Sequence, residues 1–321
     1  MFSLVEPLLK FISIPKIRVD NFILVCHYRV TSVYLLLVAI IITSKVTLVD
    51  NINCHPRFGT TTDISLQTLQ VHCYYSSHSN SGETVVPQYY QYLPLIYFIS
   101  ALGFTAPKLL YQIVEKSLFE QLIGDLVKPL QDKNAHSHHM KKLAEWLQHR
   151  RGSHFKFAVL YFLMDIIYVL QHVGNIFVFN SVLDGNFITY GTLSDLTKVF
   201  PHKVNCTYEE SYEEATLIVY SICYLNLNNI AAYATLFLWY WLLALTMLTV
   251  LLLFFDMFYV TIENFRIRIL DYNSGKFIDR RHIKHILRGL SKSERFGELV
   301  FMNILVQNLD HITCNELYNL L

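Results

Sequence analysis

Charge is scarce in this chain. Only 16% of its 321 residues are Asp, Glu, Lys or Arg, against 53% apolar, and residues 215–255 contain none of the four. That composition excludes an ordinary soluble domain, in which about a quarter of the residues are charged. The first apolar run is too long and starts too late for a signal peptide, and no small-residue cleavage site follows it, so the N-terminus is expected to stay attached. Motifs for a nucleophile, a phosphate cradle or a catalytic metal are also missing. The chain is therefore expected to be no enzyme, to need no cofactor and no metal, and to have no nucleic-acid partner.

What is present is a set of long apolar runs. A bilayer core of roughly 30 Å is crossed by about 20 mostly apolar residues in a helix, and four segments meet that test. They are residues 30–49, which begin "VTSVYLLLVAIII", and residues 92–110, "YLPLIYFISALGFTAPKLL", closed by Pro107 and Lys108. Residues 157–180 follow, with Asp165 and His172 inside, and then residues 230–256, which include "ATLFLWYWLLALTMLTVLLLFF". The fold class expected is an all-α polytopic membrane protein built on a four-helix bundle.

Basic residues orient these spans, because cytosolic loops retain an excess of Lys and Arg. Of 26 such residues, four precede the first span, nine lie from Lys108 to Lys156 and nine follow the fourth span. Residues 1–29, 111–156 and 257–321 are accordingly expected in the cytosol, with residues 50–91 and 181–229 as two outside loops of a plasma-membrane protein. Cysteine usage agrees. Cys54 and Cys73 fall in the first outside loop, Cys206 and Cys223 in the second, and Cys26 and Cys314 on the reducing side. Two disulfides are expected, and the sequence leaves all three connectivities open.

Several shorter stretches carry local expectations. In "YYQYLP", Tyr89, Tyr90 and Tyr92 stand at the outer membrane interface, where amphipathic rings are favoured. Gln91 lies between them, and Pro94 is expected in the first helical turn, where its missing N–H costs little. Asp165 and His172 are two helical turns apart on one face of the third span, where ionisable groups face the bundle interior or a water path, so both interhelical hydrogen bonding and pore lining are open to them. "HSHH" (residues 136–139) reads as a solvated linker and not as a metal site, having no Cys or Asp at ligand spacing. "YEESYEE" (residues 208–214) reads equally as a solvated loop and as a cation-attracting vestibule. The Asn205-Cys206-Thr207 sequon is expected empty, since a disulfide at Cys206 hinders glycosylation. Ser291-Lys292-Ser293-Glu294 is a capping-box pattern ahead of an apolar-periodic stretch, and residues 108–156 alternate apolar and charged positions. Together they point to a helical dome under the membrane.

Tyr-Tyr-Gln followed by an aromatic, an apolar residue and Pro, at the start of the second of four spans, resembles the innexin signature, with Tyr92 in place of the usual Trp. "HYRVTSVYLLLVAIIITSK", "LDGNFITYG", "VFPHKVNCTY", "LNLNNIAAYATLFLWYWLLAL" and "NLDHITCNELYNLL" resemble further innexin segments in register with the topology. The resemblance implies bridges Cys54 with Cys223 and Cys73 with Cys206. It also implies that the N-terminal segment folds into the pore as a funnel, lined by Met1, Phe2, Ser3 and Val5; physics alone also allows an amphipathic helix on the inner leaflet. The assembly implied is a homo-oligomeric ring, octameric in the family's architecture, which conducts ions and small metabolites. Such a ring acts as a hemichannel or docks with a ring in the next cell as a gap junction, mixes with other innexins, and contacts membrane lipid. The first outside loop, with 15 residues between Cys73 and Tyr89, and the tail are shorter than is common in insect innexins. Both features resemble viral innexins of wasp-associated DNA viruses as well as short cellular ones. The competing class is a non-conducting four-span scaffold of the tetraspanin or claudin kind, whose long second loop with Cys-Cys-Gly, or Trp-rich first loop, is not found here.

Overall fold

Inside a bilayer every backbone N–H and C=O must be paired within the protein, so long apolar runs fold as helices. The computed structural model of the chain describes residues 20–48, 52–56, 66–75, 89–123, 133–212, 215–275 and 280–321. The first membrane helix begins as α1 (Phe22–Val25), passes through a π-helical stretch (Cys26–Thr31) and continues as α2 (Ser32–Leu48). After α3 (Leu66–Tyr75) comes α4 (Tyr89–Ile123), then α5 (Lys133–His149), α6 (Phe155–Val182) and α7 (Asn226–Thr261). Four stretches are long and apolar enough to cross a membrane: Phe22–Ser44, Tyr92–Leu109, Phe155–Val182 and Asn226–Thr261.

The prolines of the second span behave differently from the sequence expectation. Because α4 starts at Tyr89, Pro94 is its sixth residue and sits beyond the first turn, so the carbonyl of Tyr90 loses its usual i+4 donor. Nor does Pro107 close the helix: α4 runs through it to Ile123. "HSHH" lies within α5 and is not a linker.

The helices are joined by one element class the composition did not announce. Strands β1 (Asn53–Pro56), β2 (Lys203–Tyr212) and β3 (Ala215–Tyr224) form an antiparallel sheet in the order β1-β3-β2. The register pairs Cys54 with Cys223 and Cys206 with Ser221. Most of "YEESYEE" is therefore the far end of β2, not a loop.

The chain divides into two compact units, and α4, α6 and α7 contribute residues to both. One unit takes residues 31–103 and 172–245 and carries the sheet, here called the cap unit. The other takes residues up to Val30 with Phe104–Gln171 and Thr246–Leu321, and is here called the dome unit. Its C-terminal helices are α8 (Glu263–Asn273), α9 (Arg280–Ile286), α10 (Lys292–Asn308) and α11 (His311–Leu320).

The dome core is apolar and continuous. Met140, Leu143 and Leu147 of α5 and Ile267 and Leu270 of α8 share one cluster with Leu299, Phe301, Ile304 and Leu305 of α10 and Leu317 of α11. Gly297 is what lets α10 approach the start of α6, since a Cβ there would lie 2.6 Å from the His154 carbonyl carbon and 2.7 Å from Phe155 Cα. The next residue, Glu298, is buried and satisfied: it accepts from His154 Nδ1 at 2.7 Å and from Gly152 N–H at 2.6 Å. The capping box at the head of α10 is formed, with Ser291 N–H donating to Glu294 at 2.7 Å and Glu294 N–H to Ser291 Oγ at 3.3 Å. Those bonds hold the Glu294 carboxyl below its ordinary range, the Ser291 backbone N–H contributing most.

Candidate functional site

The cap holds the residues that the two outside loops were expected to bring together. Cys54 on β1 is bonded to Cys223 on β3, residues directly opposite in the ladder with Cα atoms 4.0 Å apart. Cys73 on α3 is bonded to Cys206 on β2 across 5.8 Å. The two cystines are the centre of a small core with Ile52, Leu69 and Leu225, against which Val204 and Tyr208 pack. Ser221 ties the layer together: its hydroxyl donates to the Cys206 carbonyl at 3.2 Å, and it lies 3.7 Å from both Cys73 Sγ and Cys223 Sγ. His72 meets the Tyr208 ring edge-on at 4.9 Å. Each bridge joins segments more than a hundred residues apart, at separations of 169 and 133. The cap is thus a covalent clamp between the two loops.

"LDGNFITYG" leads from the end of α6 into the connection to β2, within the cap unit. Asp184 and Gly185 adopt positive φ, 50° and 84°, a geometry glycine takes at little cost. Leu183, Phe187 and Tyr190 are all buried, and Phe179, Phe187 and Tyr97 make a run of ring contacts at 5.4 and 5.5 Å. Tyr190 Oη donates to the Ala232 carbonyl at 3.1 Å, and Trp239 Nε1 to the Ile188 carbonyl at 3.0 Å. Gly191 sits against the Trp239 indole, with no room for a side chain. Asn228 Nδ2 donates to the Pro201 carbonyl at 2.8 Å, so both ends of this loop are fastened to the start of α7.

Polar bonds between the spans complete the cap unit. Tyr97 Oη meets Thr235 Oγ1 at 2.8 Å, Trp241 Nε1 donates to Thr31 Oγ1 at 2.9 Å, and Tyr34 Oη donates to the Ala234 carbonyl at 2.7 Å. Ser32 Oγ donates to the Ala101 carbonyl at 3.1 Å. Side-chain bonds of this kind are what hold apolar helices in register in lipid.

The dome unit has its own polar group where the helices end. His27 Nε2 lies 2.9 Å from Thr249 Oγ1, inside the π-helical stretch of the first span. Asp20 pairs with Lys108, accepts from Tyr28 Oη at 3.0 Å, and Lys108 lies over the Tyr28 ring at 5.3 Å. Asp165 is buried, and neither of its carboxylate oxygens has a hydrogen-bond partner among the described residues. His172, in the cap unit, is equally buried.

The remaining expected residues are placed as follows. Tyr89, Tyr90 and Gln91 form the first turn of α4; Tyr92 is 58% exposed, as an interface ring would be, while Leu93 behind it is buried. Met1, Phe2, Ser3 and Val5 lie outside the described residues. His136 pairs with Glu316 at 3.6 Å, and among the described residues the one metal-type grouping is Cys54, Cys73 and Cys223, which are the disulfide sulfurs. Sequence reasoning missed the sheet and the Asp20–Lys108–Tyr28 group. The alternation Val204, Cys206, Tyr208 was the signal available for the first.

Comparison with known proteins agrees with this architecture. The innexin family model matches residues 20–321. Innexin inx2 of Schistocerca americana is 24% identical over 287 residues, covering 78% of this chain and 78% of that protein. Innexin shaking-B of Drosophila melanogaster is 22% identical over 351 residues, covering 97% and 92%, and Innexin inx2 of Drosophila melanogaster is 23% identical, covering 78% and 76%. The chain belongs to the innexin family.

Proposed function

We propose that the chain is the subunit of a large-pore channel that passes ions and small metabolites by diffusion, as a hemichannel or as half of an intercellular gap junction. The observation that carries this is the family match over residues 20–321, together with four membrane-crossing helices. Innexins are channel proteins and not enzymes, and passive conduction is the activity proposed for this chain. A single four-helix bundle has no room for a wide aqueous path, whereas a closed ring of identical subunits encloses one on its symmetry axis. The ring proposed is homo-oligomeric, octameric by family architecture, and able to mix with other innexins. It sits in the plasma membrane with both termini in the cytosol and the two disulfide-bridged loops outside.

Residues Met1, Phe2, Ser3 and Val5 are proposed to line the narrowest part. One substitution there is repeated around the ring, and its field acts in a confined, low-dielectric passage. Ser3→Asp is expected to shift permeability toward cations and Ser3→Lys toward anions. Reversal potentials in a salt gradient, from single and paired cells expressing the chain, are the test. Absence of any conductance at normal surface levels would return the non-conducting scaffold of the tetraspanin or claudin kind. Robust currents with one reversal potential for all three proteins would take the N-terminus out of the pore.

A further inference from the structure

Where the fourth membrane helix ends, the dome unit contains a cavity of about 700 Å³, between the last residue of α7 and the α9–α10 connection. Thr261, Ile262, Glu263 and Asn264 line one side, and Lys284, Leu287, Arg288, Gly289, Leu290 and Arg295 the other. Its side chains are unbalanced in charge: three cations face one carboxylate. Glu263 lies 3.6 Å from Arg295. Lys284 and Arg288, both exposed, have no ion-pair partner among the described residues. Arg295 Nε is buried and has no hydrogen-bond acceptor among the described residues.

The frame around these cations is built. Arg266 Nη1 donates to the Tyr259 and Val260 carbonyls at 2.6 and 2.7 Å, closing the end of α7 and fixing the turn at Thr261–Asn264. Arg151 donates to the Ile286 carbonyl and, at 2.8 Å, to the Arg288 carbonyl, holding the opposite wall. Gly289 turns that wall with φ of 86°. The first hydrogen bonds of α8 run from Phe265 and Arg266 to the Ile262 carbonyl, so the N–H groups of Glu263 and Asn264 precede them, at the positive end of the helix dipole. Ile262, Phe258 and Met257, all exposed, continue from the cavity up the membrane helix.

We propose that this cavity binds a phosphomonoester anion, from a phosphorylated lipid headgroup or from a soluble phosphate ester. Several acceptor oxygens and more than one negative charge match the lysine, the two arginines and the free N–H end of α8. The volume falls in the range of small-ligand sites. A lipid source fits the exposed apolar strip on α7, along which acyl chains would lie, and basic pockets at membrane helix ends are a recognised setting for phosphoinositide heads. The proposal needs only the membrane-crossing helix and is independent of whether the ring conducts.

The test uses the full-length protein in phosphatidylcholine nanodiscs, titrated with a short-chain phosphatidylinositol bisphosphate and, separately, with inositol trisphosphate. Lys284→Gln and Arg288→Gln are each expected to weaken binding about fivefold, the effect of one surface cation on an anionic headgroup. Glu263→Gln is expected to tighten it, a gain that a variant merely damaged in folding does not show. Binding of the lipid alone identifies a headgroup with its chains; binding of both identifies the phosphate ester as sufficient. No binding of either probe overturns the proposal. So does binding that is the same in wild type and in all three variants, at unchanged thermal midpoints.

Discussion

Removing the Cys73–Cys206 bridge, by the double change Cys73→Ala with Cys206→Ala, isolates the role of the cap. The bridge spans 133 residues, and for a free chain the loop-closure entropy of such a cross-link is about 5 kcal/mol. That is an upper bound here. With the spans inserted, the loops leave the membrane from helices already held together by bonds such as Tyr97 to Thr235 and Ser32 to the Ala101 carbonyl, so the unbridged state has less freedom to regain. A cost of about 2–4 kcal/mol is the reasoned value. α3 is expected to suffer most, because the bridge is its covalent tie to the sheet, beside the small core around Leu69 and the His72–Tyr208 ring contact. The Cys54–Cys223 bridge lies within a strand pair and is backed by the ladder of β1 and β3, so its removal is expected to cost less. The assay is thermal unfolding of the detergent-solubilised protein followed by size-exclusion fluorescence, with surface conductance in parallel. A midpoint drop of several degrees with lost conductance is expected, reproduced in wild type by a reductant. An unchanged midpoint and unchanged currents in the double variant would refute the clamp, and peptide maps joining Cys54 to Cys73 would refute the pairing.

Three further outcomes test other parts of the structure. Gly297→Val places side-chain atoms against the His154–Phe155 backbone and is expected to destabilise the dome by roughly 1–3 kcal/mol or more, read as a lower midpoint; an unaffected midpoint would mean that α10 does not approach α6 this closely. Ser291→Ala removes the side-chain half of the capping box and is expected to cost about 1 kcal/mol by the same measurement. Because the Glu294 carboxyl is held low in the fold, its contribution is present above the usual carboxylate range and fades as pH falls through its folded value, so the wild-type advantage over Ser291→Ala should shrink in acid. Tyr97→Phe deletes one buried bond between two spans and is expected to cost about 0.6 kcal/mol, a small loss visible in the midpoint with assembly intact.

Much of the architecture was legible because lipid imposes a simple rule on sequence. Runs without charge must be helical, and the four runs read from residues 30–256 fall on the four membrane-crossing helices. Their lengths were less legible. Hydropathy marks where a chain becomes polar, not where its hydrogen bonding stops, so α4 continues to Ile123 and α7 starts at Asn226 beyond the apolar stretches. The prolines misled for a related reason: in a long helix a lost donor at Pro94 or Pro107 is tolerated where neighbouring turns hold the geometry. The sheet was hidden behind its own composition. "YEESY" looks like a solvated loop because its acids are abundant, yet β2 continues through it, its pairing with β3 fixed by register and not by apolar content.

The polar residues within the spans show where sequence reasoning stops. Periodicity placed Asp165 and His172 on one face of the third span, and the innexin resemblance, which puts spans one and two nearer the pore, favoured hydrogen bonds between helices over pore lining. Both are buried within the single subunit, at 1% and 2% exposure, which removes them from any surface that could face a central pore. His172 is hydrogen-bonded to the backbone of Leu242 on the fourth span, as expected of that face. Side-chain bonds between spans are also made by residues that the sequence did not single out: His27 with Thr249, Tyr34 with the Ala234 carbonyl, Tyr97 with Thr235 and Trp241 with Thr31. Those partners stand 138 to 222 residues apart, and a helical period fixes the face a residue occupies without fixing which helix arrives opposite. A hydroxyl or an indole N–H also costs less to carry into lipid than a carboxylate and needs only one partner, so Thr, Tyr and Trp bind spans together while being unremarkable in an apolar run. A buried carboxylate is conspicuous in sequence because its burial is expensive, and that expense makes it a rare tool for joining helices.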